Sequence, residues 1–150
     1  MAVLALFPGS FDPFTRGHEA ILRRVLPLFD KVVVAVGVNS EKQYMFTVDE
    51  RVARIRQALA DCPTVEVTAY SGMTVDLCHR LGAQVIIRGI RTARDFEYEQ
   101  TVAAVNRLQD PSIETLLLMA DPEHIDISST LEREKLTHAS NLRPPTSDRQ

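Results

Sequence analysis

"AVLALFPGSFDPFTRGH", residues 2–18, puts a short apolar run ahead of a loop crowded with turn formers and polar groups. Residues 2–7 carry no charge, as expected of a parallel strand buried on both faces. From Gly17 to Phe29, Ile21, Leu22, Val25 and Leu28 return at helical spacing. The opening therefore reads as strand, loop, helix, and the rest of the chain repeats that unit. "KVVVAVGV" (31–38) is a continuous β-branched run and a second buried strand. Thr47 and Glu50 form a capping box that starts a helix reaching about Ala60. "TVEVTAY" (64–70) is a third strand, and "TVDLCHRLG" (74–82) a short helix with Gly82 as its C-terminal cap. "AQVIIRG" (83–89) is a fourth strand, followed by a long helix over 93–109 that stops before Pro111. "IETLLLMA" (113–120) is a fifth strand, and a last helix begins at "ISST" (127–130).

Five such alternations imply a Rossmann-like α/β fold, a doubly wound five-stranded parallel sheet with helices on both faces. Ligands of such sheets bind beyond the carboxyl ends of the strands, where the strand order reverses. The informative loops are then 8–17, 39–47, 70–74, 88–92 and 120–128. With 150 residues, 45% of them apolar, one domain over 1–150 is expected, with a polar, loosely ordered tail from about 140. A formal charge of -3 lacks the basic excess of a dedicated nucleic-acid binder. No apolar run approaches the roughly 18 residues of a membrane span. The N-terminus has no basic region of the secretory kind, and a cytoplasmic protein without a membrane partner is expected. Cys62 and Cys78 form no CxxC pair and read as buried or half-buried free thiols.

The loops after the strands hold the chemistry. Gly9 is expected to turn the chain sharply and bring backbone N–H groups close to a ligand. Ser10 offers a hydroxyl, and Gly17 leaves room at the start of the first helix. His18 falls in the first helical turn, where free N–H groups and the helix dipole favour an anion. Neither GxxxxGK[ST] nor GxGxxG is present, so phosphate binding must use another geometry. Lys42 follows the second strand, while Arg88, Gly89 and Arg91 end the fourth. Arginine is rarely buried unpaired and suits bidentate phosphate contacts. Arg94 reads as a surface residue, and Glu97 and Glu99 as part of a solvated helix face. The hydroxyls of "ISST" serve as a cap or as donors to a triphosphate. No serine or cysteine has an obvious base partner, and no acid pair stands in these loops. A His, a Lys and two Arg are expected to converge on one crevice around a triphosphate, which suits phosphoryl or nucleotidyl transfer by positioning and charge neutralisation. No dedicated carboxylate cage for a metal is visible in these loops.

"PGSFDPFTRGH" resembles the signature of the phosphopantetheine adenylyltransferases, within the wider T/HxGH nucleotidyltransferases. The resemblance continues through the lysine loop, the "RGIR" and "DFEYE" strings and "ETLLLMADPEHIDISSTLERE", ending at Glu134. It implies transfer of AMP from ATP to 4'-phosphopantetheine, giving dephospho-coenzyme A and pyrophosphate with Mg2+, by direct in-line attack without a covalent enzyme intermediate. It implies that His18 stabilises charge in the transition state and that Ser10 touches the phosphates of both substrates. Lys42, Thr74 and Arg88 would hold phosphopantetheine. Phe11, Gly89, Ile90, Arg91, Glu99 and the segment His124, Ile125, Asp126, Ile127, Ser128, Ser129 and Thr130 would hold ATP, with Ser10 and His18. The resemblance further implies a homohexamer and coenzyme A as a feedback ligand. Ser10 stands where some members have Thr, and Thr74 where some have an apolar residue. After Glu134 the family's Gly-Gly-Asp-Val turn is missing, so its final helix is expected to be short or absent.

Three other readings share the fold. A T/HxGH transferase with a nicotinamide mononucleotide or cytidylyl chemistry is disfavoured by "DFEYE" and "RGIR". A silent nucleotide-binding protein is disfavoured by the intact Ser10, His18, Lys42 and Arg88. A flavin binder of flavodoxin type fits the fold class, which alone does not fix function.

Overall fold

Side chains of β1 (Leu4–Gly9) alternate between the two faces of the sheet, so Ala5 and Phe7 enter one core and Leu6 the other. β2 (Lys31–Gly37) does the same, with Val32, Val34 and Val36 on the first side and Val33 and Ala35 on the second. The first core is closed by α1 (Arg16–Val25) and α2 (Val48–Ala58) through Leu22, Val25, Val52 and Ile55. The second is closed by α3 (Thr74–Leu81) through Val75, Leu77 and Cys78. β3 (Val65–Tyr70), β4 (Val85–Ile90) and β5 (Glu114–Met119) complete an all-parallel sheet of order β3-β2-β1-β4-β5. Burial from both sides is why the inner strands read as unbroken apolar runs. The computed structural model describes residues 2–124 and 129–140.

Several element ends differ from the sequence expectation. β1 continues through Pro8 and Gly9, which stay in register with Ala35 and Val36 of β2. α1 stops at Val25, because Pro27 has no N–H to continue the ladder. Leu26–Leu28 form one 3-10 turn, and Leu28, expected on the buried stripe, is 68% exposed. The expected capping box of α2 is present, with Glu50 N–H on Thr47 Oγ1 (3.1 Å) and Thr47 N–H on Glu50 Oε1 (3.2 Å). Gly82 closes α3 at φ 74, the left-handed conformation that favours glycine. α4 (Ala93–Gln109) has the expected span, yet Glu99 is its only buried residue. α5 runs over Ser129–Ser140. The expected helix start at 127–128 and the tail beyond 140, where a final helix was in question, lie outside the described residues. Both cysteines are free and buried, and burial pushes the Cys78 thiol up to about 11. Among the described residues no helix is long and apolar enough to cross a membrane.

The strand order reverses at β1, with β2 on one side and β4 on the other. β1 pairs with β4 only at Ala5–Val85 and Leu6–Ile86. Beyond those residues the two strands part, and a crevice opens between Pro8–Gly9 and Arg88–Gly89.

Candidate active site: two cavities that meet at the strand switch point

A side chain bridges the gap that the backbone ladder leaves. Arg88 Nη1 donates to the carbonyl of Pro8, while its Nε and Nη2 donate to Glu99 Oε2 (2.9 Å) and Oε1 (2.7 Å). Burial alone would lower the pKa of this guanidinium; the bonds to Glu99 outweigh that and raise it above its ordinary value. On either side of the bridge lies a cavity. The first, about 290 Å³, is lined by Lys42, Tyr44, Tyr70, Thr74 and Tyr98 among others. The second, about 380 Å³, is lined by His18, Arg91, Asp95, His124, Thr130 and Arg133 among others. Pro8, Gly9, Ser10, Arg88 and Glu99 line both. The crevice expected from sequence is thus outlined as two adjoining cavities that share these five residues, with His18 lining one and Lys42 the other.

His18 is the third residue of α1, and its ring closes a capping box. The Thr15 N–H donates to His18 Nδ1 (2.9 Å), and the His18 N–H donates to Thr15 Oγ1 (3.3 Å). With Nδ1 accepting, the neutral ring carries its proton on Nε2. Phe14 stacks on the ring at 5.6 Å and Phe11 meets it edge-on at 5.0 Å. Burial, then the charges of Arg88 and Arg91, lower its pKa from 6.5 to about 4. The site therefore holds a neutral, oriented hydrogen-bond donor at a helix start that also attracts anions.

The sharp turn that delivers this helix is made by Phe11, at φ 49, and not by Gly9. A left-handed bulky residue costs about 1–3 kcal/mol and persists where its surroundings enforce it. Here the ring is buried against Phe7, Phe14 and His18. Gly9 is needed for another reason, since a Cβ there would lie 3.0 Å from Phe11 Cζ. The cis Asp12–Pro13 peptide follows. Asp12 accepts from the N–H groups of Met45 (2.9 Å) and Phe46 (3.0 Å), which ties the loop of Lys42 to the loop of Ser10.

The remaining expected residues divide as follows. Lys42 is exposed, and Thr74, the first residue of α3, places Oγ1 3.1 Å from the Tyr70 hydroxyl. Gly89 lines the second cavity, and a Cβ there would lie 2.4 Å from Ile21 Cδ1. Arg91 donates its N–H to Asp95 (3.0 Å), and its Nε lies 3.6 Å from the same carboxylate. Ser129 donates to the Pro13 carbonyl (3.1 Å) beside Thr130. Ile90 lines neither cavity; its carbonyl accepts from Ala120 (2.8 Å) at the end of the sheet. Ile125, Asp126, Ile127 and Ser128 lie outside the described residues. Arg94 and Glu97 are exposed as expected, whereas Glu99, read as part of a solvated face, is 5% exposed. The bidentate bond to Arg88 makes that burial tolerable.

Residues 6–135 match the Cytidylyltransferase-like family. The phosphopantetheine adenylyltransferase of Phocaeicola vulgatus is 46% identical over 140 residues, covering 93% of this chain and 92% of that protein. That of Flavobacterium psychrophilum is 44% identical over 137 residues, covering 91% and 90%. The chain belongs to the phosphopantetheine adenylyltransferase family. Among solved structures, a bifunctional NMN adenylyltransferase/ADP ribose pyrophosphatase from Francisella tularensis superposes with a TM-score of 0.71 at 17% identity, over 93% of this chain and 43% of that one. This likeness is one of fold.

For this member of the phosphopantetheine adenylyltransferase family, sequence reading missed four residues that build the site. Thr15 sits three residues before His18, the spacing of a capping box with imidazole in place of a carboxylate. Asp12 gave no signal, because its partners are backbone groups of a distant loop. Arg133 lines the second cavity and donates to the Asp12 carbonyl (2.7 Å) across a separation only the fold closes. Arg51 had a signal, since it shares the helical stripe of Val48, Val52 and Ile55.

Proposed function

We propose that this chain transfers the adenylyl group of ATP to 4'-phosphopantetheine, giving dephospho-coenzyme A and pyrophosphate, a step of coenzyme A biosynthesis. The observation that carries the reading is the shared wall: two cavities of substrate size meet at Ser10 and Arg88. ATP would occupy the larger, with its phosphates at the start of α1 and beside Arg91. Gly89, Arg91, Glu99, His124, Ser129 and Thr130 are then its neighbours. Phosphopantetheine would occupy the other, its arm along Thr74 and its phosphate among Ser10, Lys42 and Arg88.

In this arrangement an oxygen of the acceptor phosphate attacks the α-phosphorus of ATP in line. The new O–P bond forms as the bond to the β-phosphate oxygen breaks, and pyrophosphate leaves with the electron pair. No enzyme nucleophile is needed. His18 donates Nε2–H to phosphate oxygens as charge shifts between them. Donors of this kind contribute roughly 2.7–4 kcal/mol, or about 10²–10³ in turnover. His18→Ala is therefore expected to lower kcat at least about a hundredfold with the fold intact.

Among the described residues, three carboxylates line the ATP cavity, and each is engaged: Asp12 with backbone N–H groups, Asp95 with Arg91, Glu99 with Arg88. At the rim, Asp121, Glu123 and His124 bring ligand atoms within 4.8 Å of one another, with Asp121 paired to Arg24 (2.8 Å). A Mg2+ ion fits best as part of the nucleotide, held by phosphate oxygens and water. It would shield phosphate charge during the transfer.

The same reading extends to assembly and control. Phe96, Tyr98, Val105 and Leu108 on α4 and Leu116 and Met119 on β5 are exposed apolar side chains. They support self-association, with a homohexamer as the expected form, which light scattering would measure. Coenzyme A carries the pantetheine arm and would compete for the first cavity as a feedback ligand. A cytoplasmic enzyme with small-molecule substrates, and without nucleic-acid or membrane partners, completes the proposal. The test is pyrophosphate release from ATP with 4'-phosphopantetheine or nicotinamide mononucleotide as acceptor. Rapid release with the former alone is expected; release with neither, or with the latter alone, would reject the reading.

A further inference from the structure

Arg51 is 1% exposed, and its charge has no carboxylate partner among the described residues. Nη1 donates to the carbonyls of Ser10 (2.8 Å) and Gly37 (3.0 Å). The guanidinium carbon lies 4.0 Å from the centre of the Tyr44 ring. Nε is buried without any hydrogen-bond partner. Ser10, Gly37 and Tyr44 all line the first cavity, and Arg51 itself does not. The cation therefore stands one residue behind the wall.

A buried arginine is almost always paired, because desolvating its charge is costly. Carbonyl oxygens on Nη1 and a ring face leave Nε unmet and the full positive charge in place. The other cations of this cavity differ. Arg88 is neutralised by Glu99, and Lys42 is exposed, where solvent screens it. Arg51 is thus the desolvated, uncompensated charge next to Ser10, and its field is weakened least.

We infer that Arg51 is a positioning and specificity residue that draws the terminal phosphate of the acceptor to the Ser10 wall and is neutralised when that dianion binds. It acts through the wall without touching substrate. The inference rests on the reading that the first cavity takes phosphopantetheine. It separates the phosphorylated acceptor from an unphosphorylated analogue, which would leave the buried charge unmet.

The test compares the full-length wild type with Arg51→Gln, which keeps amide donors for the two carbonyls, and Arg51→Lys, which keeps the charge. KM for 4'-phosphopantetheine, KM for ATP and thermal stability are measured for each. The wild-type assay reports on the functional reading, and the variants report on Arg51. Arg51→Gln is expected to raise KM for phosphopantetheine at least tenfold with KM for ATP within twofold. Arg51→Lys is expected to recover most of that loss. Equal loss in Gln and Lys variants, both KM values rising together, or an unchanged Gln variant would overturn the inference. So would a Gln variant that fails to fold while the Lys variant folds, because Arg51 would then be a structural tie between loops.

Discussion

Acidification should find His18 still uncharged when an ordinary histidine has already taken a proton. Its Nδ1 accepts the Thr15 N–H, and burial with Arg88 and Arg91 holds the pKa at about 4, against 6.5 in an open chain. Between those values the unfolded chain binds a proton here and the folded chain does not. The sign follows: stability is unaffected above about pH 6.5 and falls as pH drops toward 4. The gap corresponds to roughly 3 kcal/mol at full extent, of which about 2 kcal/mol is lost between pH 7 and pH 5. Urea unfolding of the wild type and of His18→Asn at pH 7 and pH 5 isolates this share. The wild type should lose about 2 kcal/mol more than the variant. Side-chain nitrogen NMR of the ligand-free protein should show the Nε2–H tautomer with a midpoint near 4. A midpoint near 6.5, a proton on Nδ1, or equal pH dependence of the two proteins would refute the argument.

Gly89→Ala places a methyl 2.4 Å from Ile21 Cδ1, so calorimetry should record a lower Tm, equivalent to about 1–3 kcal/mol. Adding Ile21→Val removes the clashing atom and should restore part of the loss. Asp12→Asn weakens two charge-assisted bonds to the Lys42 loop, at a cost of about 1.5–3 kcal/mol, and steady-state kinetics should show KM for phosphopantetheine rising more than KM for ATP. Chirally labelled ATP α-thiophosphate should give product with inverted configuration at phosphorus; retention would point to a covalent enzyme intermediate.

The sheet was readable because β1 and β2 are buried on both faces, which writes unbroken apolar runs, and β4 opens with a shorter one before Arg88. Capping chemistry was equally local: Thr47, Glu50 and Gly82 sit where their spacing says. Leu28 misled because periodicity continued past Pro27, whose missing N–H ended α1. The site was legible as residues but not as pairs. Arg88 and Glu99 each had a signal, yet their bond depends on how α4 lies across the gap between β1 and β4. Likewise the meeting of two cavities at Arg88 and Glu99 depends on that bond, which no local pattern encodes. Phe11 was legible as a residue of the nucleotide cavity, which it lines, but not as the left-handed turn residue that seats His18.

The arrangement of two substrates about one wall is best tested by a crystal structure with a non-hydrolysable ATP analogue and 4'-phosphopantetheine bound together. The nucleotide is expected in the cavity of His18 and Arg91, the acceptor in the cavity of Lys42 and Thr74, and the acceptor phosphate beside Ser10 facing the α-phosphorus. Both ligands in one chamber, or phosphates separated by the Arg88–Glu99 bridge with no line of approach, would contradict it.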